Sequence, residues 1–367
     1  MQKRIQELDV LRVFAMLFVI TYHFGCEYAV AGLPFFNLFY LTPNYDFGNI
    51  AVTIFIALSG GLLYKRYGVI GEDPTEPGSA SAAKQGERSP LRTFYIKRVK
   101  AIYPPFWILS LYIPLSMIRH LMTDGNIFFL GNPLSLLLTV IGFDGYLRLY
   151  GIDTYAFCGD WFVGAIVLLY LLYPLLAKCY RKSPAATLLA LAGLYALQFA
   201  LPAQYDSILS ALPATLMFKF VLGFALIENL ERFRDWRVAA VAGAAFAALT
   251  LVDIPGRINT DALGTFAAIA LFAVAFYLAP YLLRFKAASL PIQKLAALSY
   301  CVFLAQHVGI VWAQGAFVKI FDKMHWGFTA WNVLALLAAT LVAIAIAAWI
   351  LKRISDRVTE RVSKFLS

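Results

Sequence analysis

The sequence predicts an all-α polytopic membrane protein of about ten transmembrane helices, and three observations carry that prediction. Of its 367 residues, 61% are hydrophobic and 14% charged, where an ordinary soluble domain is about 45–50% apolar and about 25% charged. Twenty-one acidic and 31 basic residues cannot coat a globule of this size. The apolar residues come in runs of about 20, long enough to span a bilayer as helices, and not in the alternating strands of about 10 that build an outer-membrane barrel. The basic residues gather in alternate connections, as the positive-inside bias requires. Helices are the necessary element, because hydrocarbon offers no partner to an unpaired backbone group.

Spans are expected to start near Asp9, Asn49, Ala101, Trp161, Pro184, Ser207, Arg237, Ala262, Lys294 and Trp331. Residues 130–147 are an eleventh apolar stretch, broken by Pro133, Gly142 and Asp144. Charge decides against it. With a cytoplasmic amino terminus and ten spans, 24 of the 31 basic residues face the cytoplasm. Five face outward (Arg119, Arg148, Arg257, Lys319, Lys323), and Arg12 and Lys219 lie within spans. An eleventh span would invert Lys178, Arg181 and Lys182. Residues 121–160 therefore read as an outer-face excursion between the third and fourth spans, with an interfacial or re-entrant piece, and both termini read as cytoplasmic. Residues 68–90, rich in Gly, Pro, Ser and charge, read as a flexible cytoplasmic loop. Residues 352–367 form a basic amphipathic tail suited to anionic lipid. Residues 1–367 thus make a single integral-membrane domain. No cleavable leader is expected, since Arg12, His23 and Glu27 interrupt the first apolar run. Cys26, Cys158, Cys179 and Cys301 show no CxxC spacing and read as core residues, with no metal site.

The first span carries unusual chemistry. Ionisable groups inside a membrane helix are costly and face the bundle interior. Arg12 and His23 are eleven residues apart, which returns to within about 20° of one face, and Asp9 and Glu27 fall within about 60° of Arg12. The four groups form a polar stripe over roughly 27 Å of helix. Imidazole titrates near neutrality, so His23 can accept a proton from a hydroxyl. Glu27, one turn on, is placed to orient the ring or stabilise an imidazolium. The alternative is structural: Arg12 as an interfacial anchor and His23 as a hydrogen-bonded packing residue.

The run LDVLRVFAMLFVITYHF, with its Arg and His, resembles the membrane acyltransferase 3 family. The resemblance continues in GNIAVTIFIALSGGLLYKRYG, with Leu58, Ser59 and Gly60, and in FYIKRVKAIYPPFW. It continues again in DWFVGAIVLLYLLYPLL, around Trp161, Tyr170 and Pro174, and in LSYCVFLAQHVGI. Three positions depart from the pattern. Ala101 stands where a second Arg is frequent, Ile166 where many members have Glu, and Gln306 where the family's later His usually falls, with His307 one residue on.

The resemblance implies a multi-pass O-acyltransferase of the bacterial cytoplasmic (inner) membrane. It would move an acyl group, acetyl most commonly, from acyl-CoA to a hydroxyl of an exopolysaccharide or other envelope glycan. His23 is then the general base, with Glu27 beside it, unless the acyl group first rests on the histidine. Arg12, Lys97, Arg98 and Lys100 suit the donor's phosphates, although the three on the third span equally suit positive-inside anchoring. Tyr155, Asp160 and Trp161 are the candidate sugar contacts, with Tyr146, Tyr150, Asp144 and Asp153 nearby; the aromatic residues equally suit an interfacial belt. Lys219 either pairs with a carboxylate or touches the donor. Expected partners are acyl-CoA, the glycan, membrane lipid and glycan-synthesis machinery, with no nucleic acid. The competing reading is a transporter or flippase for a lipid-linked or growing glycan, whose conduction path a polar stripe would also serve; clear paired half-repeats with broken helices are not apparent.

Overall fold

In the computed structural model, the described residues are 4–33, 42–71, 89–155, 160–201, 208–254 and 259–366. They form thirteen α-helices and no strand. These are α1 (Glu7–Val30), α2 (Phe47–Tyr67), α3 (Pro90–Ser110), α4 (Tyr112–Asp124), α5 (Ser135–Ile141), α6 (Asp144–Arg148) and α7 (Asp160–Lys182). There follow α8 (Pro184–Leu197), α9 (Pro213–Glu228), α10 (Trp236–Leu251), α11 (Thr260–Leu283), α12 (Lys286–Met324) and α13 (Ala330–Leu366). Each of the ten expected spans meets a helix. Among the described residues, seven stretches are long and apolar enough to cross a membrane: α1, α2, α3 running on into α4, α7, α11, α12 and α13. The remaining three, α8, α9 and α10, are 14, 16 and 16 residues long.

The sequence sets many helix limits. Ser183 caps α8, its Oγ accepting from the Ala186 N–H ahead of Pro184 at the first turn. Asp235 and Asn259 cap α10 and α11, accepting from the Arg237 and Asp261 N–H groups. At the end of α12, His325 takes a left-handed φ of 54° and stops the helix. Between Ala330 and Leu366 no residue breaks the helix, so the basic tail continues α13 as one rod, with Lys352 paired to Asp356 one turn on. The excursion holds only α5 and α6, of seven and five residues, far too short to span. The open carbonyls at the end of α5 are met from α3: Tyr103 donates to Ile141 O at 2.8 Å and Trp107 Nε1 to Val140 O at 2.8 Å. Of the polar loop, residues 72–88 lie outside the described residues. Among the described residues, Cys26, Cys179 and Cys301 are not in disulfides; Cys158 also lies outside.

The chain divides into two compact units: Met1–Leu58 with Asn229–Trp349, and Ser59–Glu228 with Ile350–Ser367. In the first, α1 packs against α11 and α12, and α10 packs against α11. Asn44 pins the turn before α2 to the end of α10, donating to Leu249 O and Val252 O and accepting from the Ile254 N–H. Asn49 donates to buried Asp261 at 2.8 Å. In the second unit, α7 packs against α6, α8 and α9. An aromatic core joins Tyr64, stacked on Phe224 at 4.6 Å, to Tyr173 and Tyr180. Tyr173 donates to Leu63 O and Gly68 O, and Ser59 Oγ meets Tyr170 OH at 2.9 Å.

The glycines after Ser59 explain how α2 approaches α9. A Cβ on Gly60 would overlap the Phe220 carbonyl, and one on Gly61 the Gly223 carbonyl. Backbone cannot swing aside as a side chain can, so close helix packing here needs small residues. Gly193 on α8 has nothing within 4 Å of its would-be Cβ. Gly61→Ala should therefore lower the detergent melting temperature, by the equivalent of about 1–3 kcal/mol. Gly193→Ala should be neutral or slightly stabilising. Equal melting of the two variants would refute this account of the packing.

Candidate functional site

The polar stripe of α1 is built as helix geometry requires, and packing sorts its groups. Near the start of the helix, Asp9 is fully buried. Arg4 Nε lies 2.7 Å from one of its oxygens and Arg12 Nη1 2.9 Å from the other. The carboxylate is ion-paired on both oxygens, and Oδ1 accepts a hydrogen bond from Arg12. Arg12 keeps 29% of its side-chain surface open. The pair with Asp9 thus fixes the guanidinium without enclosing it. Arg234, before α10, reaches Glu7 on α1 at 3.1 Å and Glu231 at 3.2 Å. The entrance of α1 is a charge network.

Further along α1 lies a second cluster. His23 is half-buried, edge-on to Tyr22, and its ring centroid is 4.1 Å from that of His307 on α12. His307 Nδ1 stands 3.9 Å from Glu27 Oε1. Gln314, two turns beyond His307, donates to Phe24 O at 3.1 Å and fixes the register of α12 against α1. Glu27 and His307 keep 29% and 23% of their side chains exposed. Gln306 is fully buried and makes no side-chain hydrogen bond among the described residues. The register of α12 therefore turns residue 307, and not 306, toward His23.

The three basic residues expected to act together on α3 separate in the second unit. Lys97 is exposed and Lys100 half-buried. Arg98 turns inward, its guanidinium 5.6 Å from the Tyr67 ring, 5.7 Å from Phe94 and 5.7 Å from Tyr170. Its Nη2 also donates to Tyr67 OH. Such stacking suits guanidinium and would not suit ammonium equally. Lys219 is fully buried on α9.

The excursion is more structural than its composition suggests. Tyr155 is 1% exposed, packed with Ile113 and Met117 and donating to Gly131 O at 2.8 Å. It presents no free face to a sugar ring, so its expected stacking role is corrected to a packing one. Burial pushes its phenol above the ordinary tyrosine range. Tyr146 is likewise buried and donates to Ala211 O. Asp144 is buried, accepting from the Gly145 N–H, while Asp153 is exposed. Trp161 is partly exposed, edge-on to Phe162, and Tyr150 is 41% exposed. Asp160 opens α7, and its side chain lies outside the described residues.

The site residues that sequence reasoning ranked first, His23, Glu27 and Arg12, thus line one helix. His307, one residue past the family's usual position, joins them from α12. The signal was present, since LSYCVFLAQHVGI offers a histidine within an apolar helix. Its facing direction needed the packed structure.

No curated protein and no solved structure matches this chain. A family model described as an acyltransferase domain matches residues 5–350, which covers α1 through nearly all of the apolar part of α13. Both histidines, the Arg12–Asp9 pair and the α3 basic residues fall inside that match, and the chain belongs to the membrane acyltransferase 3 family.

Proposed function

We propose that this multi-pass membrane acyltransferase is an O-acyltransferase. It moves an acyl group, acetyl in the simplest case, from cytoplasmic acyl-CoA to a hydroxyl of an exopolysaccharide or other envelope glycan in the bacterial inner membrane. The observation that carries the reading is His23, half-buried on a polar stripe of α1 that also holds Arg12 and Glu27. An ionisable stripe of this kind inside an apolar helix is expensive to keep unless it acts. Family membership favours group transfer over conduction.

In the proposed step, His23 takes the proton of the acceptor hydroxyl as its oxygen bonds to the thioester carbon. The tetrahedral intermediate collapses with cleavage of the C–S bond. The thiolate leaves and recovers the proton from the imidazolium, so His23 ends as it began. Glu27 contributes negative charge near the site while the imidazolium exists. Arg12, paired to Asp9 and 29% exposed, offers its guanidinium to a donor phosphate or the pantetheine arm. Lys97, Arg98 and Lys100 are the second set assigned to phosphate contact, with Lys97 the most accessible. Trp161 is retained as a sugar-stacking contact, and Asp160 as a hydroxyl partner.

His23→Ala should reduce acyl transfer to glycan by about 100-fold or more, measured with labelled acyl-CoA and purified protein in proteoliposomes. Full transfer by the variant removes the histidine from the chemistry. Failed glycan export with intact glycan acylation would support the transporter reading instead. Arg12→Ala should weaken acyl-CoA binding in calorimetry by about tenfold or more, the scale of one lost charge-assisted contact. Arg12→Lys should restore it only in part, because the forked donor is gone. Unchanged affinity with lost turnover would move Arg12 from donor binding into the reaction.

A further inference from the structure

The reading above uses one histidine of the α1–α12 seam and leaves the other unassigned. His307 approaches His23 ring to ring at 4.1 Å, and its Nδ1 is the imidazole atom that faces Glu27 Oε1 at 3.9 Å. Gln314 holds α12 in the register that produces both contacts. The protein has four histidines, His23, His120, His307 and His325. Two of them, from helices nearly 300 residues apart in sequence, meet here beside a carboxylate. Packing alone gives no reason to bring two titratable rings and a carboxylate together inside an apolar seam, where each ionised form is costly.

We infer that His307 is a positioning residue for acyl transfer, linking Glu27 to His23 in a line of carboxylate, imidazole and imidazole. This rests on His23 being the proton acceptor. When His23 gains the acceptor's proton, the new positive charge arises beside the second ring and is balanced through it by Glu27. No net proton leaves the seam, since the leaving thiolate takes it back from His23. His307 also limits the tilt of the His23 ring, so the base meets the hydroxyl already aimed. Glu27 acts through His307, which assigns the carboxylate a route to the reaction as well as a charge.

The test is a double-mutant cycle of Glu27→Gln and His307→Gln on acyl transfer, with His23→Ala run alongside. His307→Gln should lower kcat by about 10-fold to 100-fold while the KM for acyl-CoA stays within about twofold, since only the positioned base is disturbed. Adding Glu27→Gln should then cost little more, because both act along one line. Melting of each variant, and of His307→Asn, should match the parent. Wild-type turnover by His307→Gln, or losses that multiply in the double variant, would overturn the inference. A fall in turnover that tracks a fall in melting temperature would assign His307 to packing and overturn it too. If His23→Ala is inactive while His307→Gln is normal, this inference alone fails; if His23→Ala is active, the underlying general-base reading fails first.

Discussion

Asp9 has no exposed surface, and a buried carboxylate persists only where cations close on it; here Arg4 and Arg12 take one oxygen each. The pair lies within α1 and its lead-in, and the docking of α1 on α11 and α12 sets the rotation of the helix. Three residues separate Asp9 from Arg12, and eleven more lead to His23 on nearly the same face. With Asp9 turned inward, His23 faces nearly the same way, since both lie on one stripe. The seam with α12 then supplies what the stripe lacks, a second imidazole at 4.1 Å and the Gln314 bond that holds the register. Arg234, reaching Glu7, ties the same end of α1 to the segment before α10.

The second unit solves a different problem by similar means. Its helices approach through glycine and through aromatic rings. Gly60 and Gly61 let α2 lie against the α9 backbone, and Tyr173 and Tyr64 fill the space beside them. Arg98 enters that aromatic region as a stacked cation, which separates it in role from its exposed neighbour Lys97. A basic cluster in the sequence thus resolves into a stacked guanidinium at Arg98, a half-buried Lys100 and an exposed Lys97. The excursion follows the same rule: Tyr155 and Tyr146 spend their hydroxyls on backbone carbonyls, and their rings are walls.

Much of this was legible from the chain, for physical reasons. Apolar runs of about 20 residues announce helices because a helix pairs its own backbone groups in hydrocarbon, and seven stretches among the described residues are long and apolar enough to cross a membrane. The α1 stripe followed from the 3.6-residue period alone. The stretch at 130–147 is interrupted by Pro133, Gly142 and Asp144, and α5 and α6 are short, with Gly142 at a left-handed φ of 79° between them. Other features depend on long-range packing and leave no local trace. Nothing near Tyr155 signals that Ile113 and Met117 will cover it. The facing of His307 over Gln306 is a matter of one residue, or about 100° of helix rotation, and only the docking of α12 on α1 decides it. Likewise, the tail continues α13 because no breaker intervenes, a point that amphipathic patterning does not address.

The central claim is that the reacting groups sit on the α1–α12 seam, with His23 taking the proton. Having only four histidines makes this directly measurable. Graded carbethoxylation of the purified protein can be mapped by peptide mass spectrometry while glycan acylation is assayed on the same samples. The account predicts that loss of transfer follows modification of His23, irrespective of His120 and His325, and that acyl-CoA protects His23. Complete modification of His23 with transfer intact would contradict it.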